Sequence, residues 1–223
     1  VLRNINMTFD KKWDLDIYKK NKQINRYPHD KIVSFINKYF KGKKKSLKKL
    51  TALDLGCGTG NNAKFLSDYG FGKVIGIEGS YSAVKIAKKY LRENKNCKII
   101  KSDFNNIALK RNTVSVCIDR GSITHNNKRN IRIIFSEVKR ILKPKGLFLS
   151  YLFSKNHYAY KRKKKRFFKK ETNSKNGLVT SFFSRSEIKF LFKNFKTQII
   201  IHEINHNIVS NKKSSMWFVV ATK

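Results

Sequence analysis

Leu53-Asp54-Leu55-Gly56-Cys57-Gly58-Thr59-Gly60 is the stretch that decides the fold. Residues 50–55 read as a short buried strand, and three glycines on alternate positions come directly after it. Such glycines let the chain turn sharply and let a ligand approach the backbone with no Cβ in the way. Residues beyond Gly60, to about Tyr69, read as a helix. Free N–H groups at its positive end would suit a carboxylate or a phosphate. By itself such a turn is also an ordinary tight connection, so the flanking elements decide what it is for.

Working outward, strands and helices alternate. Residues 73–78, 97–102, 113–119 and 147–153 predict further strands. Ser80 is placed to cap a helix carrying Val84, Ala87 and Leu91. Ile131, Ile134, Phe135, Val138 and Leu142 share one face of a helix around 128–142, and Pro144 and Gly146 punctuate the step into the strand at 147. Ser184 and Glu187 have capping-box spacing ahead of Ile188, Leu191, Phe192 and Phe195. Upstream, Ile32, Phe35, Ile36, Tyr39 and Phe40 predict a helix opened by Pro28, and residues 41–49 read as a basic loop. This alternation predicts an α/β fold, a mostly parallel sheet with helices on both faces. Residues 197–204 and 216–222 lack a crossover helix, so they are expected to pair antiparallel at the sheet edge. In such sheets ligands sit beyond the carboxyl ends of the strands, at the switch in strand order.

Acids recur at those ends. Glu78, with Gly79 and Ser80 after it, closes the second strand, where a carboxylate can accept both hydroxyls of a ribose. Asp103-Phe104 closes the third, offering an acceptor and a flat ring to an adenine, and Asp119 closes the fourth. Two nucleoside cofactors compete. Gly58-Thr-Gly60-Asn-Asn-Ala63 fits the looser dinucleotide pattern. The tighter alternation, however, starts at Gly56 behind an acid, Asp54. A buried anion is unfavourable beside a pyrophosphate and useful beside a cationic sulfonium and ammonium. Charge therefore favours S-adenosylmethionine (SAM).

Leu53-Asp-Leu-Gly-Cys-Gly-Thr-Gly60, Val74-Ile-Gly-Ile-Glu-Gly-Ser80, Lys101-Ser-Asp-Phe104 and Glu137-Val-Lys-Arg-Ile-Leu-Lys-Pro-Lys-Gly146 resemble, in order, the motifs of class I SAM-dependent methyltransferases of the small-molecule type. The resemblance covers roughly residues 28–222. It implies a Rossmann-like seven-stranded sheet of order 3-2-1-4-5-7-6 with strand 7 antiparallel, and SAM as cofactor. It further implies that Asp54, Gly56 and Gly58 line the methionine part and that Glu78 binds the ribose, with Cys57, Gly60, Gly79 and Ser80 also among the cofactor-binding residues. Asp103 and Phe104 would hold the adenine, with Asp119 and Arg120 near the transferred methyl. Lys145 stands where the family usually has Gly. Asp119-Arg-Gly-Ser122 departs from the Asn/Asp-Pro-Pro-aromatic motif of amino methyltransferases that act on bases or glutamine, which puts that chemistry in doubt.

Methyl transfer from a sulfonium depends first on alignment. A general base is needed only if the nucleophile carries a proton at neutral pH, and His125 and His157 lie in suitable loops. Residues 1–27 are expected to form an N-terminal lid that binds the acceptor through Trp13, Tyr18, Arg26 and Tyr27. Residues 28–223 would form the methyltransferase domain, with a basic insertion at about 154–183 over the active site. Each of these residues also has a bland reading as an ordinary core or surface side chain.

Composition narrows the partners. The chain has 223 residues, 40% apolar, which excludes wholesale disorder despite 29% charged residues. No apolar run is long enough to span a bilayer, and the first ten residues lack a secretory pattern. Cys57, Cys97 and Cys117 have neither disulfide nor zinc spacing, so no metal is expected and a reducing cytoplasm is. The net charge of +37 would suit RNA or an anionic acceptor. Lysine nevertheless supplies 40 of the 51 bases, as A/T-rich codons alone would produce. Between 155 and 175 there are ten bases and one acid, interleaved with aromatics. A small, anionic metabolite methylated at O or N is the first expectation. RNA, or a non-catalytic binding module, is the alternative.

Overall fold

A computed structural model describes residues 8–160 and 178–223. Seven strands form one sheet: β1 (Thr51–Leu55), β2 (Lys73–Glu78), β3 (Cys97–Lys101), β4 (Val114–Arg120), β5 (Leu142–Phe153), β6 (Lys196–Asn207) and β7 (Lys212–Thr222). Their order is β3-β2-β1-β4-β5-β7-β6. The first five run parallel, and β7 pairs antiparallel with both β5 and β6. This is the expected sheet, including the antiparallel edge pair.

The central strands are buried almost continuously, and successive side chains point to opposite faces, so they feed two cores. On one face α1 (Asp30–Phe40), α3 (Asn61–Tyr69) and α4 (Tyr81–Tyr90) pack Ile36, Leu66 and Ala87 against Val116, Leu149 and Tyr151. On the other, α5 (Lys128–Ile141) and α6 (Arg185–Leu191) pack Ile134, Val138 and Ile188 against Leu53, Cys117 and Phe148. The helix starts are built as the sequence predicts. Ser80 Oγ accepts from Ala83 N–H at 3.1 Å. Ser184 and Glu187 exchange both capping-box bonds. These caps satisfy N–H groups that a helix leaves orphaned, each contributing about 1 kcal/mol.

Three local readings change. The basic loop contains a one-turn helix, α2 (Lys44–Leu47), because Leu47 is fully buried and anchors it. β5 starts at Leu142 instead of 147; Pro144 to Gly146 forms a bulge inside the strand, where pairing slips from Val114↔Leu142 to Val116↔Leu147. β6 and β7 run on to Asn207↔Lys212, leaving Ile208 and Val209 exposed at the hairpin tip.

Residues 8–27 are tied to the carboxyl ends of the strands and to the helices beyond them. A single π-helical turn, Trp13–Tyr18, buries Ile17 and Tyr18. Thr59 Oγ1 donates to Asn25 O at 2.8 Å, and Tyr90 OH to Arg26 O at 2.8 Å. Most of the basic run expected over the site, residues 161–177, lies outside the described residues. No helix among the described residues is long and apolar enough to cross a membrane. No group of three or more His, Cys, Asp or Glu among them could hold a metal ion.

Candidate functional site

Strand order reverses between β1 and β4, and a cavity of about 580 Å³ opens at that point. Its floor is the glycine turn, with Gly56, Cys57, Gly58 and Thr59. Glu78 and Gly79, Asp103 and Phe104, and Arg120, Gly121 and Ser122 form the walls at the ends of β2, β3 and β4. Trp13, Tyr18, Tyr27, His29 and His125 close the other side. Of the residues singled out from the sequence, Asp54, Gly60, Ser80, Asp119, Arg26 and His157 do not line the cavity.

The turn is folded by two backbone bonds. Gly56 N–H and Cys57 N–H both donate to Ile77 O, at 2.8 and 3.0 Å. Gly56 has φ +74°, and a Cβ there would strike the Ser122 side chain. Gly58 has φ +51°, and a Cβ would stand 2.9 Å from the Tyr18 hydroxyl. Both positions therefore require glycine, for conformation and for space.

Each acid has a different environment. Glu78 accepts from Gly58 N–H at 3.0 Å and from Ser80 N–H at 2.8 Å. Burial pushes its pKa up, against the pull of those bonds. Asp119 Oδ1 accepts from Ser122 N–H, Ile123 N–H and Ser122 Oγ, at 2.8, 3.0 and 2.7 Å. Its Oδ2 accepts from Ser150 Oγ at 2.8 Å. Burial still raises its pKa, to about 6. Asp119 thus shapes the turn that carries Arg120 to Ser122 and does not face the cavity. Asp54 lies beneath the glycine turn with neither carboxylate oxygen hydrogen-bonded among the described residues, although Ala63 N–H faces it. Burial first, then the charges of Asp119 and Glu78, push its pKa up to about 8.

The histidines divide. His125 lines the cavity, with Nδ1 3.2 Å from Thr180 Oγ1 and its ring edge-on to Trp13 at 4.7 Å. Burial drops its pKa to about 4, so it is neutral. His157 instead packs among Phe153, Tyr158 and Phe182, and its Nδ1 accepts from Ala159 N–H. Arg26 stacks over Tyr90. One functional candidate was missed: His29, the N-cap residue of α1, which lines the cavity. Its ring is edge-on to Tyr151 at 4.9 Å. His29 Nδ1 and the Tyr151 hydroxyl are both buried without a hydrogen-bond partner among the described residues. Burial and the nearby Arg120 charge hold the His29 pKa below its ordinary value. Only Pro28-His29-Asp30 at a helix start hinted at it.

The sheet order and this crevice define the class I methyltransferase fold. Residues 52–146 match the family model described as a methyltransferase domain. Over those residues the chain is similar to methyltransferase domains, and SAM is the methyl donor that SAM-dependent members hold. A sterol 24-C-methyltransferase of Pneumocystis carinii is 29% identical over 104 residues, 45% of this chain and 27% of that protein. Human EEF1A lysine methyltransferase 2 is 30% identical over 107 residues, 44% of this chain and 45% of that protein. The chain therefore spans less than half the length of either relative. A SAM-dependent methyltransferase structure from Methanosarcina mazei shares the fold, with TM-score 0.63 and 18% identity, over 78% of this chain and 92% of that one.

The residues present fit SAM. An orphaned buried carboxylate, Asp54, sits under a turn that any Cβ would close, which suits a ligand carrying a sulfonium and an ammonium.

Proposed function

We propose that this protein methylates a small, anionic molecule at oxygen or nitrogen, with SAM as donor. The observation that carries the acceptor reading is Arg120. It lines the cavity, and among the described residues it makes no ion pair although Asp30 and His29 line the same cavity. A guanidinium left open in a cleft suits a carboxylate or phosphate on the incoming molecule.

Bound SAM would supply a methyl group already activated on a sulfonium. The chain's own residues then have three tasks. Gly56 and Gly58 give the donor close backbone approach, and Asp54 balances its positive charge. Glu78 and Phe104 hold the nucleoside. Arg120 orients the acceptor, so that its nucleophile lies in line with the methyl, which is where most of the rate would come from. His29 takes the proton from an O–H or N–H nucleophile, because its lowered pKa keeps it neutral at pH 7. His125, held against Trp13 and Thr180, packs the wall. We place the protein in the cytoplasm, on the strength of three cysteines that remain unpaired.

The test is transfer of labelled methyl from SAM into small-metabolite and RNA fractions, with His29→Gln and Arg120→Ala beside the parent protein. Label in an anionic small molecule, lost in Arg120→Ala, supports the reading. Label in RNA alone replaces it with the nucleic-acid alternative.

A further inference from the structure

The adenine end of the cavity is already engaged by the protein's own N-terminal segment. Asp103 Oδ2 accepts from Thr8 N–H at 2.7 Å and from Phe9 N–H at 3.0 Å. Its Oδ1 accepts from Asn105 N–H at 3.0 Å and from the Thr8 hydroxyl. A carboxylate has about four acceptor positions, and these bonds fill them. Phe104 N–H in turn donates to Thr8 Oγ1 at 3.2 Å. The Thr8 hydroxyl thus donates to the acid and accepts from the next backbone amide. The Watson–Crick edge of an adenine offers the same pair, the N6 amino donor beside the N1 acceptor.

The next residue completes the match in shape. The Phe9 ring lies so close over Gly79 that a Cβ there would collide with it. Thr8 is itself buried, and further anchors hold the segment down. Asp14 accepts from Ser82 N–H at 2.8 Å and from Ser80 Oγ, while Trp13 packs on His125.

We propose that Thr8 and Phe9 act as an internal stand-in for adenine, a latch that the methyl donor displaces when it binds. The inference rests on the SAM reading and concerns regulation of that same site. In the closed form Asp103 has no acceptor position left for an amino group. Apparent affinity for SAM is then the intrinsic affinity reduced by the fraction of open molecules. A latch closed in nine molecules of ten lowers it about tenfold.

The test uses the full chain with Thr8→Val, which removes only the hydroxyl, and Phe9→Ala. SAM affinity is read by calorimetry, and exchange protection of the 8–9 amides by hydrogen exchange with and without SAM. Both variants are expected to bind SAM about three- to tenfold more tightly than the parent. The 8–9 amides are expected to lose protection when SAM binds the parent. Equal or weaker binding by the variants overturns the latch, as does protection that persists or rises with SAM. In either case the parent still binds SAM, and the donor assignment stands. If the parent protein does not bind SAM at all, the donor assignment falls and the latch falls with it. Should a variant lose its helical circular dichroism, the exchange result on the parent decides alone.

Discussion

The tips of β1 and β4 lie side by side, Leu55 opposite Asp119, and each carries a buried aspartate. Asp119 is surrounded by donors from its own turn and from Ser150, and burial lifts its pKa only to about 6. Asp54 has only Ala63 N–H facing it, outside hydrogen-bond geometry, and burial lifts it to about 8. The contrast gives each acid its own task. A buried carboxylate with its bonds made holds a turn in shape. A buried carboxylate without them is an incomplete site, and a cationic ligand would complete it.

The strongest challenge to that division is made at Asp119. Asp119→Ala strands the Ser122 and Ile123 N–H groups and the Ser150 hydroxyl, while the Ser122 hydroxyl keeps Leu55 O at 2.6 Å, and should cost about 2–4 kcal/mol in urea unfolding. Asp54→Asn should leave the unfolding midpoint equal or higher while weakening SAM binding about tenfold, about 1.4 kcal/mol. If both substitutions instead cost stability and neither touches SAM, the division of labour is wrong.

A pH experiment separates the two acids further. Between the ordinary carboxylate range near 4 and about 8, folded Asp54 holds a proton that the unfolded chain has lost. The folded state binds more protons there, so this group's contribution to stability is present at low pH and is lost as pH rises toward 8. For Asp119 the same sign applies over a narrower window, ending near 6. Asp54→Asn should therefore flatten the fall in stability between pH 6 and 8, measured as urea midpoint against pH.

The smallest effect is expected at His157, which is packed away from the cavity. His157→Ala should change kcat less than about twofold, whereas His29→Gln should lower kcat with SAM affinity unchanged. A large loss at His157 would return it to the reacting centre.

The glycine turn, the acids at the strand ends and the antiparallel edge pair were legible because each is written in a short local pattern. Spacing alone placed Glu78, Asp103 and Phe104 on one cavity. It could not say which acids face that cavity, since Asp54 and Asp119 differ only in what surrounds them after folding. His29 and Tyr151 escaped for a related reason. They meet only because α1 packs on the face that β5 presents, and neither carries a motif. Thr8 and Phe9 were hidden altogether: nothing in Thr-Phe suggests a ligand for an acid on β3's end. Helix α2 was missed because its lysines masked the single anchor, Leu47.

The decisive measurement is a SAM titration by calorimetry at pH 7 in two buffers of different ionisation heat, which counts protons exchanged on binding. Burial leaves Asp54 protonated at that pH, and a cation seated above it favours the ionised form. One SAM should bind per chain with a net release of protons, and Asp54→Asn should abolish most of that release. Binding with no proton release, or release unchanged in Asp54→Asn, would contradict the role given to the acid beneath the glycine turn.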